Sequence, residues 1–256
     1  MALSADRNTP RLEGDILSFG VVAGALVYAG ALVMLNVSGY VTKGQAATGL
    51  FGVGRAEERA TGGAADGDVT MRVRAGTFRF ANSAAGDQIT IADRGKVCYA
   101  VDDQTVAKTS NSGARSPAGF VADVDAQGVW VEFDLAKMGA WLAAREEEVN
   151  VRVATLVGNG VYRAISPVSG RLKKISSITE GVLTTGDATL TAKINGVAVT
   201  NGVITITQAG SAAGDKDSAT PTAANYVAEG DELSLTVGGT NATATVANGV
   251  FEIERD

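Results

Sequence analysis

Residues 19–37, FGVVAGALVYAGALVMLNV, form a 19-residue run without a charged side chain. Such a run either crosses a membrane as a helix or is buried on both faces inside protein, so it limits the fold more than any other segment. Length alone favours the membrane. Against it, glycines at 20, 24 and 30 divide the run, Asn36 lies near its end and no basic cluster flanks it closely. A signal peptide places a basic stretch directly before its apolar core, whereas Asp15 stands there. The run therefore reads as two buried strands, residues 21–28 and 31–37, meeting at a glycine bend, with no membrane as partner.

Beyond it the pattern is β. In DVTMRVRAGTFRF (68–80), Val69, Met71 and Val73 alternate with Thr70, Arg72 and Arg74, the period of a half-exposed strand. KVCYAVD (96–102) is a short apolar run ending in an Asp-Asp turn signal, and its Cys98 reads as a small buried hydrophobe. Residues 120–124 and 129–133 flank Asp125-Ala126-Gln127-Gly128 as a hairpin. At 135–149, LAKMGAWLAAREEEV places Leu135, Met138, Trp141 and Leu142 at helical spacing before three glutamates, which suits a short helix or connector. The second half is strand and turn again. Asn-Gly recurs at 159, 195, 201 and 248, and both residues tolerate the positive φ of tight hairpins. Residues 209–225, without a large apolar side chain before Tyr226, read as a long exposed loop.

The fold class expected is all-β. An extended N-terminal arm (1–18) precedes a β-rich, barrel-like domain (19–134). A connector (135–150) then leads to a C-terminal β-sandwich or jelly-roll (151–256). The arm, polar and aperiodic with Pro10 in its middle, is expected to order on a neighbouring subunit, with Arg7 and Arg11 meeting carboxylates. Val33 and Leu35 are expected at a subunit surface, where an aspartate would place an unpaired charge.

Composition removes several chemistries. With no histidine, a histidine-ligated metal, a Ser-His-Asp triad and a Cys-His dyad are all excluded. One cysteine forms neither an intrachain disulfide nor a zinc cage. A net charge of −6 argues against nucleic acid as a partner.

Asp123, Asp125 and Gly128, with Asp134 in twelfth place, superficially follow a calcium loop. However, Gln127 stands at the fifth position, no glutamate stands at the twelfth, and VWVEF alternates as a strand, so a hairpin is expected. Asp215 and Asp217 read as solvated loop charges, and Asp102, Asp103 and Lys108 as a turn. Gly49, Gly52 and Gly54 match no phosphate loop and read as bends between strands. Asn36 and Asn241 are only formal glycosylation acceptors. No catalytic, cofactor-binding or metal-binding constellation emerges.

Five segments in order, YAGALVMLNVSGYVTKG (28–44), GVGRAEE (52–58), GDVTMRVRAGTFRFANS (67–83), YAVDDQTVAKT (99–109) and ADVDAQGVWVEF (122–133), together with the opening ALSADRNTP, resemble the head decoration, or cement, proteins of Mu-like tailed bacteriophages. The second half, with GDKDSATPTAAN (214–225), resembles β-domains appended to phage virion proteins. The resemblance implies a homotrimer on the outer capsid surface of the virion, over threefold and quasi-threefold positions of the major capsid protein, stabilising the shell without enzymatic activity. A trimer would also bury the 21–37 strands. The alternatives are a displayed binding module for host cells or glycans, a carboxylate hydrolase, and a tail-tube subunit.

Overall fold

The structure is a computed structural model and describes residues 14–255. The chain forms two compact units. One runs to Met138 without residues 111–113; the other holds those three residues and the chain from Gly139 onward. Both are built from strands, so the all-β class holds, and the described residues contain a single α-helix.

The first unit contains β1 (Ile16–Gly20), β2 (Leu26–Val27), β3 (Leu32–Asn36), β4 (Val41–Lys43), β5 (Leu50–Ala56), β6 (Ala60–Thr61), β7 (Thr70–Arg74) and β8 (Gly76–Asn82). These are followed by β9 (Val97–Ala100), β10 (Thr105–Ala107), β11 (Pro117–Asp125) and β12 (Gly128–Phe133). Five strands make a sheet in the order β1-β7-β5-β3-β4, and five more close into a barrel, β10-β8-β12-β11-β9. A lone bridge between Val21 and Val41 links the two edges of the open sheet.

The doubly apolar run now has its explanation. Successive side chains of a strand face opposite ways. On β3, Leu32 and Met34 enter the barrel core, while Val33 and the half-buried Leu35 enter the core of the open sheet. The strand is a wall between two cores, so a polar residue on either face would be desolvated without a partner. Its first expected half is displaced. Strand β1 starts earlier, at Ile16, and the chain turns at Val22–Ala25, with the Ala25 N–H donating to Val22 and Gly24 at φ +66°. Only Leu26 and Val27 of the remainder pair, with β6.

Close backbone approach, across the two layers at Gly52 and within the open sheet at Gly54, also relocates the glycines. Gly52 and Gly54 lie inside β5 rather than at bends between strands. A Cβ on Gly52 would stand 1.8 Å from the Ala118 carbonyl oxygen, and one on Gly54 2.2 Å from that of Arg74. Neither position admits a side chain.

Helix α1 (Leu135–Ala143) follows β12. Asp134 caps it, its carboxylate accepting the N–H groups of Ala136 and Lys137 at 2.8 and 3.0 Å. Next come β13 (Glu146–Val153), β14 (Val161–Ile165), β15 (Gly170–Thr179), β16 (Ala188–Ile194) and β17 (Val197–Ile206). The last four are β18 (Lys216–Ala219), β19 (Tyr226–Val227), β20 (Glu232–Gly239) and β21 (Ala247–Arg255). One sheet runs β13-β21-β15-β18 with β19 also on β15; the other runs β14-β20-β16-β17. Val151, Leu172, Ile175, Leu190, Ile204, Leu235 and Phe251 fill one core between them, making a sandwich.

Two boundaries move. The expected connector ends early, because Glu146–Glu148 are the first residues of β13 and alternate in and out of the sheet. The expected loop at 209–225 contains β18, whose residues pair with Ile175–Ile178. Of the four Asn-Gly pairs, Asn195-Gly196 makes the two-residue hairpin expected of it, at φ +49° and +80° between Ile194 and Val197. Asn201 and Asn248 lie within strands β17 and β21.

Candidate functional site

Val33 is fully enclosed by its own unit and Leu35 packs on the same core. Val33 thus needs no second subunit to bury it, while Tyr28 and Val37 of the same run remain exposed. Arg7 and Arg11 lie outside the described residues. The expected arm is shortened at its other end: Ile16–Ser18 belong to β1 and pair with Arg72–Arg74, while Asp15 holds the Arg74 guanidinium at 2.8 Å.

The carboxylates examined for metal binding are engaged elsewhere. Asp123 pairs with Arg94. Asp125 accepts the N–H groups of Gln127 and Gly128 at 2.7 and 2.9 Å and the Trp130 indole N–H at 2.7 Å, closing the turn of the β11–β12 hairpin. With Asp134 capping α1, the three aspartates serve three separate structures, and the hairpin reading stands over the calcium loop. Asp102 accepts the Gln104 N–H in a turn, while Lys108 reaches Asp93 at 3.2 Å. The Asn241 amide is buried and donates to the carbonyls of Leu156 and Thr243, so it offers no acceptor for a glycan. Cys98 is enclosed in the barrel core, where burial pushes its thiol up to about 12.

Two charged arrangements, missed in reading the sequence, join local pairs to partners further along the chain. On the open sheet, Glu57 is shared by Arg55 and Arg74, Arg74 also takes Asp15, and Glu58 holds Arg72. The arginines hold Glu57 and Glu58 below the usual carboxylate range. Beside the barrel, the buried Asp93 carboxylate accepts the Thr90 N–H and hydroxyl, each at 2.9 Å, and the ammonium groups of Lys96 and Lys108. The Thr90 backbone bond and the two lysines outweigh burial and lower its pKa well below the ordinary value.

The surface carries a few large apolar side chains. In the first unit they are Tyr28, with Arg59 over its ring at 5.2 Å, Ile91, and Val37. Val37 is 91% exposed at the tip of the β3–β4 turn. That turn is fixed by Asn36, whose side-chain oxygen accepts the N–H groups of Ser38 and Tyr40 at 3.0 and 2.9 Å. In the second unit Val161, Ile165 and Val203 stand on the outer face of the β14-β20-β16-β17 sheet. Among the described residues no helix is long and apolar enough to cross a membrane, and no group of three metal-ligating side chains occurs.

Comparison of the chain with protein-family models, with curated proteins and with solved structures gave no match.

Proposed function

We propose that this chain is a structural virion protein, a homotrimeric decoration protein that binds the outer surface of a tailed-phage head and stabilises the shell. One observation carries the reading. The five segments that resemble cement proteins end at Phe133, and the first compact unit ends at Met138. The resemblance therefore covers one physical body rather than scattered pieces. Within that body the segments supply β3, β4, β7, β8 and β10, most of β5 and of the β11–β12 hairpin, and half of β9, elements that contribute to both cores. The second unit, with a core of its own, is an appended domain on this reading.

The test is direct. Purified protein is mixed with phage heads that lack it, and the washed particles are imaged by electron cryomicroscopy. Density at threefold and quasi-threefold positions, together with heads that survive higher temperature, is the expected result. Failure to bind heads, or incorporation into tails instead, overturns the proposal. Sedimentation equilibrium of the free protein reports the trimer separately.

A further inference from the structure

The four Asn-Gly pairs are each followed by valine: Asn159-Gly160-Val161, Asn195-Gly196-Val197, Asn201-Gly202-Val203 and Asn248-Gly249-Val250. A glycine nitrogen has no neighbouring side chain to shield it, and its backbone is permissive enough to approach the preceding asparagine amide. The local chemistry is the same at all four, so any difference in reactivity comes from the fold.

The fold restrains three of them. Asn195 is clamped at both ends of its amide, the nitrogen donating to Asp231 at 2.8 Å and the oxygen accepting the Glu232 N–H at 2.9 Å. The Asn201 amide donates to the Thr222 hydroxyl at 2.9 Å, and the Thr200 N–H before it donates to the Ala223 carbonyl at 3.0 Å. The Asn248 amide donates to Glu180 at 3.0 Å, while its backbone lies inside β21 between Arg152 and Ile178. Asn159 differs. It is exposed in the loop between β13 and β14. Among the described residues its amide makes no hydrogen bond, and the N–H groups of Gly158, Asn159 and Gly160 donate none. The loop is held only at its ends, where the Leu156 N–H donates to Thr245 and the Gly160 carbonyl accepts the Val237 N–H at 2.9 Å. That second bond is the first rung between β14 and β20.

We propose that Asn159 is a self-modifying site that deamidates in the folded protein while the other three pairs are protected. The Gly160 nitrogen gives its proton to solvent base and attacks the carbonyl carbon of the Asn159 side chain. The new C–N bond closes a cyclic imide, and the side-chain nitrogen takes a proton from water and leaves as ammonia. Water then opens the imide. Breaking the new bond leaves aspartate; breaking the original peptide bond leaves isoaspartate, with the chain routed through the side chain. One water is consumed overall, one ammonia is released and nothing is oxidised or reduced. Either product makes a neutral side chain anionic. Isoaspartate also lengthens the main chain directly before the Gly160–Val237 rung, which loosens it.

The experiment ages the full chain in mildly alkaline buffer, one sample folded and one in urea, and follows all four pairs by peptide mass spectrometry. In the folded sample Asn159 should convert roughly tenfold faster than the other three, the factor that opening one good side-chain hydrogen bond first would impose. In urea the four should convert at similar rates. Asn159→Gln keeps an amide but must close a larger ring, so it should fold and stay unconverted there. In the aged folded fraction the Val237 amide should exchange its hydrogen faster than in fresh protein. Conversion at Asn195, Asn201 or Asn248 that matches Asn159 in the folded chain overturns the site. The same preference for Asn159 in urea overturns the role of the fold, and unchanged exchange at Val237 overturns the effect on β14.

Discussion

The two units reach a β-fold by opposite uses of charge. In the first, carboxylates are bound to specific cations and N–H groups: Asp87 to Thr109 and Arg115, Asp93 to Thr90 and two lysines, Glu57 to two arginines. The second rests on one apolar core, and its ladders tolerate repulsion. Glu146 stands opposite Glu254 and Glu148 opposite Glu252, like charges in direct cross-strand register. Lys173, Lys174 and Arg145 sit on Glu146, Glu252 and Glu254, and among the described residues no cation pairs with Glu148. Polar specificity holds the smaller, divided cores of the first unit, whereas a large continuous core lets the second carry electrostatic defects.

The largest test of this contrast removes core volume. Phe251→Ala, at a fully buried position, should cost the second unit about 3–5 kcal/mol. In calorimetry its transition should fall sharply while that of the first unit stays put; a shared drop would show that the units do not have separate cores in practice. Gly52→Ala is the counterpart in the first unit. Its Cβ would meet backbone at the Ala118 carbonyl, which cannot rotate away, so a loss of about 3 kcal/mol or more is expected in that unit alone.

Acid should separate the units next. Carboxylates whose folded pKa is depressed contribute stability that is full above the unfolded value and is lost as pH falls through the folded one. Asp87 and Asp93 are both depressed by their partners, from a reference of 3.8. The first unit should therefore weaken as pH drops below about 4, while the second melts at a more nearly constant temperature. Asp93→Ala, which strands the Thr90 N–H and two ammonium groups, should cost about 1–3 kcal/mol at neutral pH and flatten that acid response. Calorimetry at stepped pH reads both.

The smallest effect is a gain. Glu148→Gln relieves the repulsion with Glu252 and should stabilise the second unit by about 0.2–1 kcal/mol, an increment that salt should erase in the parent. A loss on substitution would mean that Glu148 has a favourable role that the cross-strand register does not reveal.

How much of this was legible from residues alone divides along the same line. Alternation revealed β7, β12 and the β11–β12 hairpin, because one face is wet and the other dry. The double apolarity of β3 correctly signalled burial on both sides, but the sequence holds no sign that two cores of one chain would do the burying. Gly52, Gly54 and Gly249 were unreadable for a related reason. A glycine demanded by a neighbour's backbone or side chain, as Gly249 is by Leu235, looks the same as one demanded by a bend. Glu146–Glu148 and Asp217 broke the rule that charge runs are loops, since pairing with β21 and β15 overrode local preference. Partnerships such as Asp15 with Arg74 are invisible at a separation of 59 residues.

The position of β21 bears on how the second unit is made. It lies between β13 and β15, contributes Ala247, Phe251 and Ile253 to the core, and pairs with both neighbours along most of its length. During synthesis β13 emerges about a hundred residues ahead of it. Until residues 247–255 leave the ribosome, β13 has no strand to pair with and β15 has one open edge, so the sandwich waits on its final strand. The first unit faces no such delay, because its strands have all emerged before β13 does. While residues 154–246 are being made, the first unit can be native and β13 stays exposed, and that interval is when its open strand edges are most vulnerable to pairing with other chains.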